Sequence, residues 1–134
     1  MNEVPETAVL SEQERAVARR LTLRYLVAST AIFLASGLLG VLIHNSQAGL
    51  GRLPDDTWYA FMTAHGLGAF VGWAGFAVMG FAWWVFASVG FPLRRFGVQM
   101  AELTFWLMIV GVAGVLVTTL LMNFGGSWVF LYPI

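Results

Sequence analysis

The chain has 134 residues, 59% of them hydrophobic and only 10% charged, with a formal net charge of zero and a mean hydropathy of +0.78. A water-soluble domain carries about 25% charged residues, so the composition places this chain in a membrane before any motif is considered. All seven basic residues are arginine and cysteine is absent, which excludes disulfides, thiolate metal sites, iron–sulfur clusters and haem attached through paired cysteines; no phosphate-cradling glycine loop or basic nucleic-acid patch is present either.

Residues Met1 to Leu10 are polar, contain Pro5 and read as an irregular lead. Ser11 and Glu14 have the spacing of a capping box, so a helix is predicted to start there. Residues 1–20 read as a cytoplasmic segment with a short amphipathic helix, and 21–134 as an all-α membrane domain of three transmembrane helices. The first span covers about 23–43, close to the ~20 residues that a bilayer requires. The polar lead and the lack of a small-residue cleavage site argue against a signal peptide. His44 to Thr57 is a loop broken by Gly49, Gly51 and Pro54, with Asp55-Asp56 offered as the next N-cap. The second span covers about 58–88, longer than the hydrocarbon core needs. Gly90, Pro92 and Arg94-Arg95 close it. The third span covers about 100–122, with Glu102 expected in its first turn, followed by a glycine-rich turn and an aromatic tail from Trp128.

Six arginines flank one side of these spans and only Arg52 the other. By the positive-inside rule the N-terminus is cytoplasmic, and the His44–Thr57 loop and the C-terminus are outside.

The one histidine well inside a span is His65, in Thr63-Ala64-His65-Gly66-Leu67. An imidazole there is costly and has a partner or a task. Its helical face carries Gly68, Ala69 and Gly72. That bare lane suits either a flat group such as haem bonded to His65, or a close helix–helix contact with His65 hydrogen-bonded across it. Spacing alone leaves both open. His44 lies at the outer end of span one; it can share a haem with His65 in principle, but its depth suits an interfacial histidine better. Glu102 can handle protons in a hydrated cavity, or simply be a favourable acid at a helix start. The glycines at 37, 40, 111 and 114 read as close-packing surfaces, and Trp58, Trp83, Trp84 and Trp128 as interfacial anchors.

From Trp58 to Leu67 the string Trp-Tyr-Ala-Phe-Met-Thr-Ala-His-Gly-Leu resembles the second helix of subunit I of the haem–copper oxygen reductases. Leu103-Thr104-Phe105-Trp106-Leu107 is similar to that family's segment opening helix three. Gly126-Ser127-Trp128-Val129-Phe130-Leu131-Tyr132-Pro133-Ile134 is similar to the segment after it. Gly40-Val41-Leu42-Ile43 and the loop with Pro54-Asp55-Asp56 resemble the end of helix one. The resemblance covers roughly residues 25–134 in order.

It implies that His65 is an axial ligand of a low-spin haem, that Gly68, Ala69 and Gly72 pack against it, and that Trp128 and Tyr132 belong to its outer cover. His44 stands where many members carry arginine, Phe91-Pro92-Leu93-Arg94-Arg95 replaces a proline-rich connection, and Glu102 departs from the polar pattern common there. The family's other ligands, for the second axial position, the high-spin haem and copper, lie on later helices, and no histidine follows His65. The expected role is therefore an N-terminal, split or truncated subunit I, not catalytic alone. A partner chain would complete the bundle and hold the copper. The alternatives are an accessory or assembly subunit without haem, and a quinone-linked cytochrome b anchor using His44 and His65.

Overall fold

The computed structural model describes residues 10–121. Within them the chain is entirely helical, with no strand. Helix α1 spans Glu12–Gln47, α2 Asp55–Leu67, a π-helical segment Gly68–Ala74, α3 Gly75–Ser88 and α4 Arg95–Leu120. Segments α2, π and α3 follow without a break, so three rods result, each long and apolar enough to cross a membrane.

The start of α1 is the capping box read from the sequence. The Ser11 hydroxyl accepts from the Glu14 backbone N–H, and the Glu14 carboxylate accepts from the Ser11 N–H at 3.0 Å. The helix then runs unbroken for 36 residues, so the stretch before residue 20 continues directly into the span. It ends in a Schellman motif: Leu50 N–H returns to Asn45 O, Gly49 N–H to Ser46 O, and Gly49 takes φ +77°. Helix α3 ends the same way, with Phe91 N–H on Phe86 O and Gly90 at φ +71°. Both turns need glycine because a Cβ is strained at such φ.

Two boundaries differ from the sequence expectation. Helix α2 starts at Asp55, with Pro54 as N-cap; Asp55 and Asp56 lie in the first turn and do not cap. They still meet the positive end of the helix dipole there. Helix α4 starts at Arg95, well ahead of residue 100.

The three rods meet around Tyr25, Phe76 and Phe105, which form one buried cluster with ring centroids 5.2 to 5.8 Å apart. The Tyr25 hydroxyl donates to Ala101 O at 2.8 Å, so the buried phenol is satisfied. Most other large apolar side chains face outward, Phe70 at 81% and Val110 at 67% exposure among them. For a helix bundle in lipid that is the expected distribution.

Candidate functional site

Ser36 and His65 bind helices α1 and α2 together through two bonds. The His65 ring nitrogen Nδ1 lies 2.8 Å from the Ser36 carbonyl oxygen. The Ser36 hydroxyl donates to the His65 carbonyl oxygen at 2.8 Å and sits 3.3 Å from Nδ1. Ser36 is buried, whereas His65 is only partly so. Nε2 makes no hydrogen bond among the described residues and is not sealed inside them. Among the described residues the site thus offers one imidazole with one nitrogen committed to the scaffold and the other without a hydrogen bond.

Two glycines make this approach possible. A Cβ on Gly40 would lie 2.8 Å from His65 Cε1 and 3.3 Å from Nε2; one on Gly68 would lie 2.9 Å from Ser36 Cβ. Real Cβ atoms do not sit that close, so the ring rests directly on the backbone of α1. Gly72 repeats the device one turn on, where a Cβ would meet Ile32 Cγ2 at 2.5 Å and Val112 at 3.5 Å. Helix α1 therefore fills the lane of small residues read from the sequence. Gly68 and Gly72 are buried helix-packing contacts here, and Ala69 beside them is partly exposed.

The π segment begins three residues after His65. A π turn leaves backbone groups without their usual helical partners. Within this segment the Trp73 carbonyl accepts from the buried Ser29 hydroxyl at 2.9 Å. Ser29 and Ser36 lie seven residues apart on α1, two turns along one face. Each donates to a carbonyl of the second rod, at Trp73 and at His65.

The other sequence candidates fall elsewhere. His44 is exposed in the last turn of α1, one turn beyond Gly40 on the same side, and its ring makes no hydrogen bond among the described residues. Glu102 lies about two turns inside α4, not in its first turn, and its carboxylate pairs with Arg24 and, at 3.2 Å, with Arg20. Arg24 also covers the Phe105 ring at 5.6 Å. Trp128 and Tyr132 lie outside the described residues. No cluster of three or more metal-ligating side chains occurs among the described residues.

Sequence reasoning missed Ser36. The signal was available: a serine within an apolar span needs a partner for its hydroxyl. Gly40 was read as a packing surface without its partner.

The residues present fit one side of a haem iron. Histidine ligands commonly donate their other ring N–H to a carbonyl, which fixes the tautomer and leaves the second nitrogen basic. His65 has that arrangement toward Ser36.

No curated protein and no solved structure matches the chain. A family model does, that of cytochrome c and quinol oxidase polypeptide I, over residues 20–134. The match takes in the first rod from residue 20, both later rods and the Ser36–His65 site, and the chain belongs to the cytochrome c and quinol oxidase polypeptide I family.

Proposed function

We propose that this chain supplies one axial ligand, His65 Nε2, to the low-spin haem of a membrane-bound haem–copper oxidase. The observation that supports this reading is Nδ1 held by the Ser36 carbonyl, with no hydrogen bond to Nε2 among the described residues. Bound there, the haem would carry single electrons toward an oxygen-reducing centre. The chain's own part is to hold the imidazole, to keep water from it with close-packed helices, and to present the nitrogen at a fixed angle. The second axial ligand, the high-spin haem and the copper ligands come from outside these 134 residues, since the sequence holds only His44 and His65. Other oxidase subunits in the same membrane carry them.

The arginines orient the rods. Arg15, Arg19, Arg20, Arg24, Arg94 and Arg95 sit at one end, and this end faces the cytoplasm. His65 then lies toward the opposite face of an energy-transducing cell membrane.

A second reading is an accessory subunit without haem. The filled lane at Gly68 and Gly72 favours it, because His65 then serves only to join two helices. The reduced-minus-oxidised visible spectrum of the complex that co-purifies with this chain separates the two. The ligand reading expects a low-spin α-band that His65→Ala abolishes while the subunits still co-purify. A spectrum unmoved by His65→Ala makes the accessory reading correct. His44→Ala should leave the band in place, which removes the cytochrome b anchor.

A further inference from the structure

Among the described residues of the second rod, only Ala60, Ala64, Gly68, Gly72, Phe76 and Gly80 are buried. They lie four residues apart throughout. An α-helix turns about 100° per residue, so each four-residue step overshoots a full turn by about 40°. Five such steps carry the buried line about 200° round the rod. An unbroken α-helix would therefore turn Ala60 and Gly80 to opposite sides. Helix α1 shows the ordinary pattern: its buried Ser29, Ser36 and Ile43 are seven residues apart, close to two full turns.

We propose that the π segment stores one residue more than the rod needs, and that Ser29 is a positioning residue that keeps it stored. The inference rests on the reading of His65 as a ligand for its purpose, but not for its geometry. A π turn is closed by one residue more than an α turn, so it takes up about 100° of the drift. The six buried positions then fall within a single face about 100° wide, the width of an ordinary buried stripe. Phe76 joins Tyr25 and Phe105, while Gly68 and Gly72 lie against Ser36 and Ile32 of α1. His65 precedes the segment, so the wide turn sets its angle to the Phe76 half of the rod. The Ser29 hydroxyl donates to the Trp73 carbonyl at 2.9 Å, in the last turn before α winding resumes at Gly75. That bond ties the wide turn to α1. Without it the turn tightens, the two halves rotate about 100° against each other, and the His65 ring leaves Gly40.

The test removes the stored residue. Deletion of Val71, 53% exposed in the middle of the segment, lets the rod close as an ordinary α-helix with both halves in phase. Deletion of Val27, 66% exposed on α1, takes a residue from a helix with none to spare. The chain has no cysteine, so Met62→Cys and Phe81→Cys carry spin labels without background, on the full chain in lipid nanodiscs. Both residues face outward. They align on one side of the rod when the π turn absorbs a residue, and stand about 100° apart in an unbroken α-helix. Ser29→Ala should lengthen the label distance by several ångströms and reduce the haem α-band of the complex that co-purifies with the chain. Ser29→Thr, which keeps the hydroxyl, should restore both. Deletion of Val71 should keep the labels aligned and the band present, and Ser29→Ala added to it should change neither. Deletion of Val27 should abolish the band. The proposal is overturned if Ser29→Ala leaves the label distance unchanged, or if deletion of Val71 removes the band as fully as deletion of Val27. If wild type shows no haem band at all, the ligand reading fails, and the label distances alone still decide the register.

Discussion

The two ends of the bundle are built differently. At the arginine-rich end three rods converge: Tyr25, Phe76 and Phe105 share one buried cluster, and Arg20 and Arg24 of α1 hold Glu102 of α4. At the His65 end α1 meets the second rod through backbone-close glycines and one pair of reciprocal bonds. Toward its C-terminal end α4 is unevenly covered: a Cβ on Gly111 or Gly114 would meet no described atom within 4 Å and Val117 is 54% exposed, whereas Thr119 is buried. One end is finished by its own side chains. At the other, among the described residues, the His65 ring is only partly covered. Buried aromatic area stabilises the first end, whereas the second depends on fit at single atoms.

That contrast breaks first at the closed end. Phe76→Ala should cost about 3 kcal/mol or more, as for other large aromatic deletions in a packed cluster, because Phe76 is fully buried between Tyr25 and Phe105. Reversible unfolding in bicelles reads it. The same assay on Phe70→Ala, whose ring is 81% exposed, should show almost no loss. Equal losses for the two would mean that the cluster is not what joins the rods.

At the His65 end the expected effects are smaller in stability and larger in function. Gly72→Ala places a methyl against the branched Ile32 side chain and Val112, and overpacking of this kind costs roughly 1–3 kcal/mol. Gly40→Ala presses on a ring that can turn aside, so its stability loss should be less than that of Gly72→Ala. On the ligand reading of His65 it should nonetheless reduce the haem α-band of the purified complex. If Gly40→Ala leaves that band at full height, the saddle under His65 is not needed.

Glu102→Gln tests the ionic part of the closed end. The pair is partly solvated, with side-chain exposures of 33% for Arg24 and 27% for Glu102, so screening keeps its value near ~1 kcal/mol. The loss should shrink as salt rises. A loss that ignores salt would assign Glu102 a packing role instead.

Much of this was legible in the chain. The spans follow from apolar runs, and the capping box at Ser11 and Glu14 from spacing alone. The start of α4 was not legible: Arg94 is its N-cap in extended backbone without a side-chain bond, so nothing marks the boundary, and Glu102 was placed a turn too early. Asp55 and Asp56 look like caps, yet it is Pro54 whose carbonyl receives the Trp58 N–H. The π segment is silent because apolar patterning carries a 3.6-residue period and does not register a turn closed by one more residue. Within the site, His65 was legible as a costly polar group, but its partner was not. Ser36 is 29 residues away, and which face of α1 meets α2 depends on rotation of both helices.

The smallest expected effect sits at the very start of the closed end. The Glu14 carboxyl is held below its ordinary range, first by the hydrogen bond from the Ser11 hydroxyl and then by the Ser11 backbone N–H. Its charged form is thus favoured in the folded helix over the frayed one. A carboxyl lowered on folding adds stability above its ordinary range and loses it as pH falls through the lowered value. Ser11→Ala removes the cap, at about 1 kcal/mol for a helix end of this kind, and should abolish most of that acid dependence. Amide hydrogen exchange of the first turn of α1 is the measurement, compared between neutral and acidic pH. Fraying should rise on acidification in wild type and stay nearly constant in Ser11→Ala. Because the three-rod cluster begins only at Tyr25, exchange at His65 should not respond to either change. A response there would mean that the two ends are coupled through α1, and that the rod transmits fraying over about seven turns.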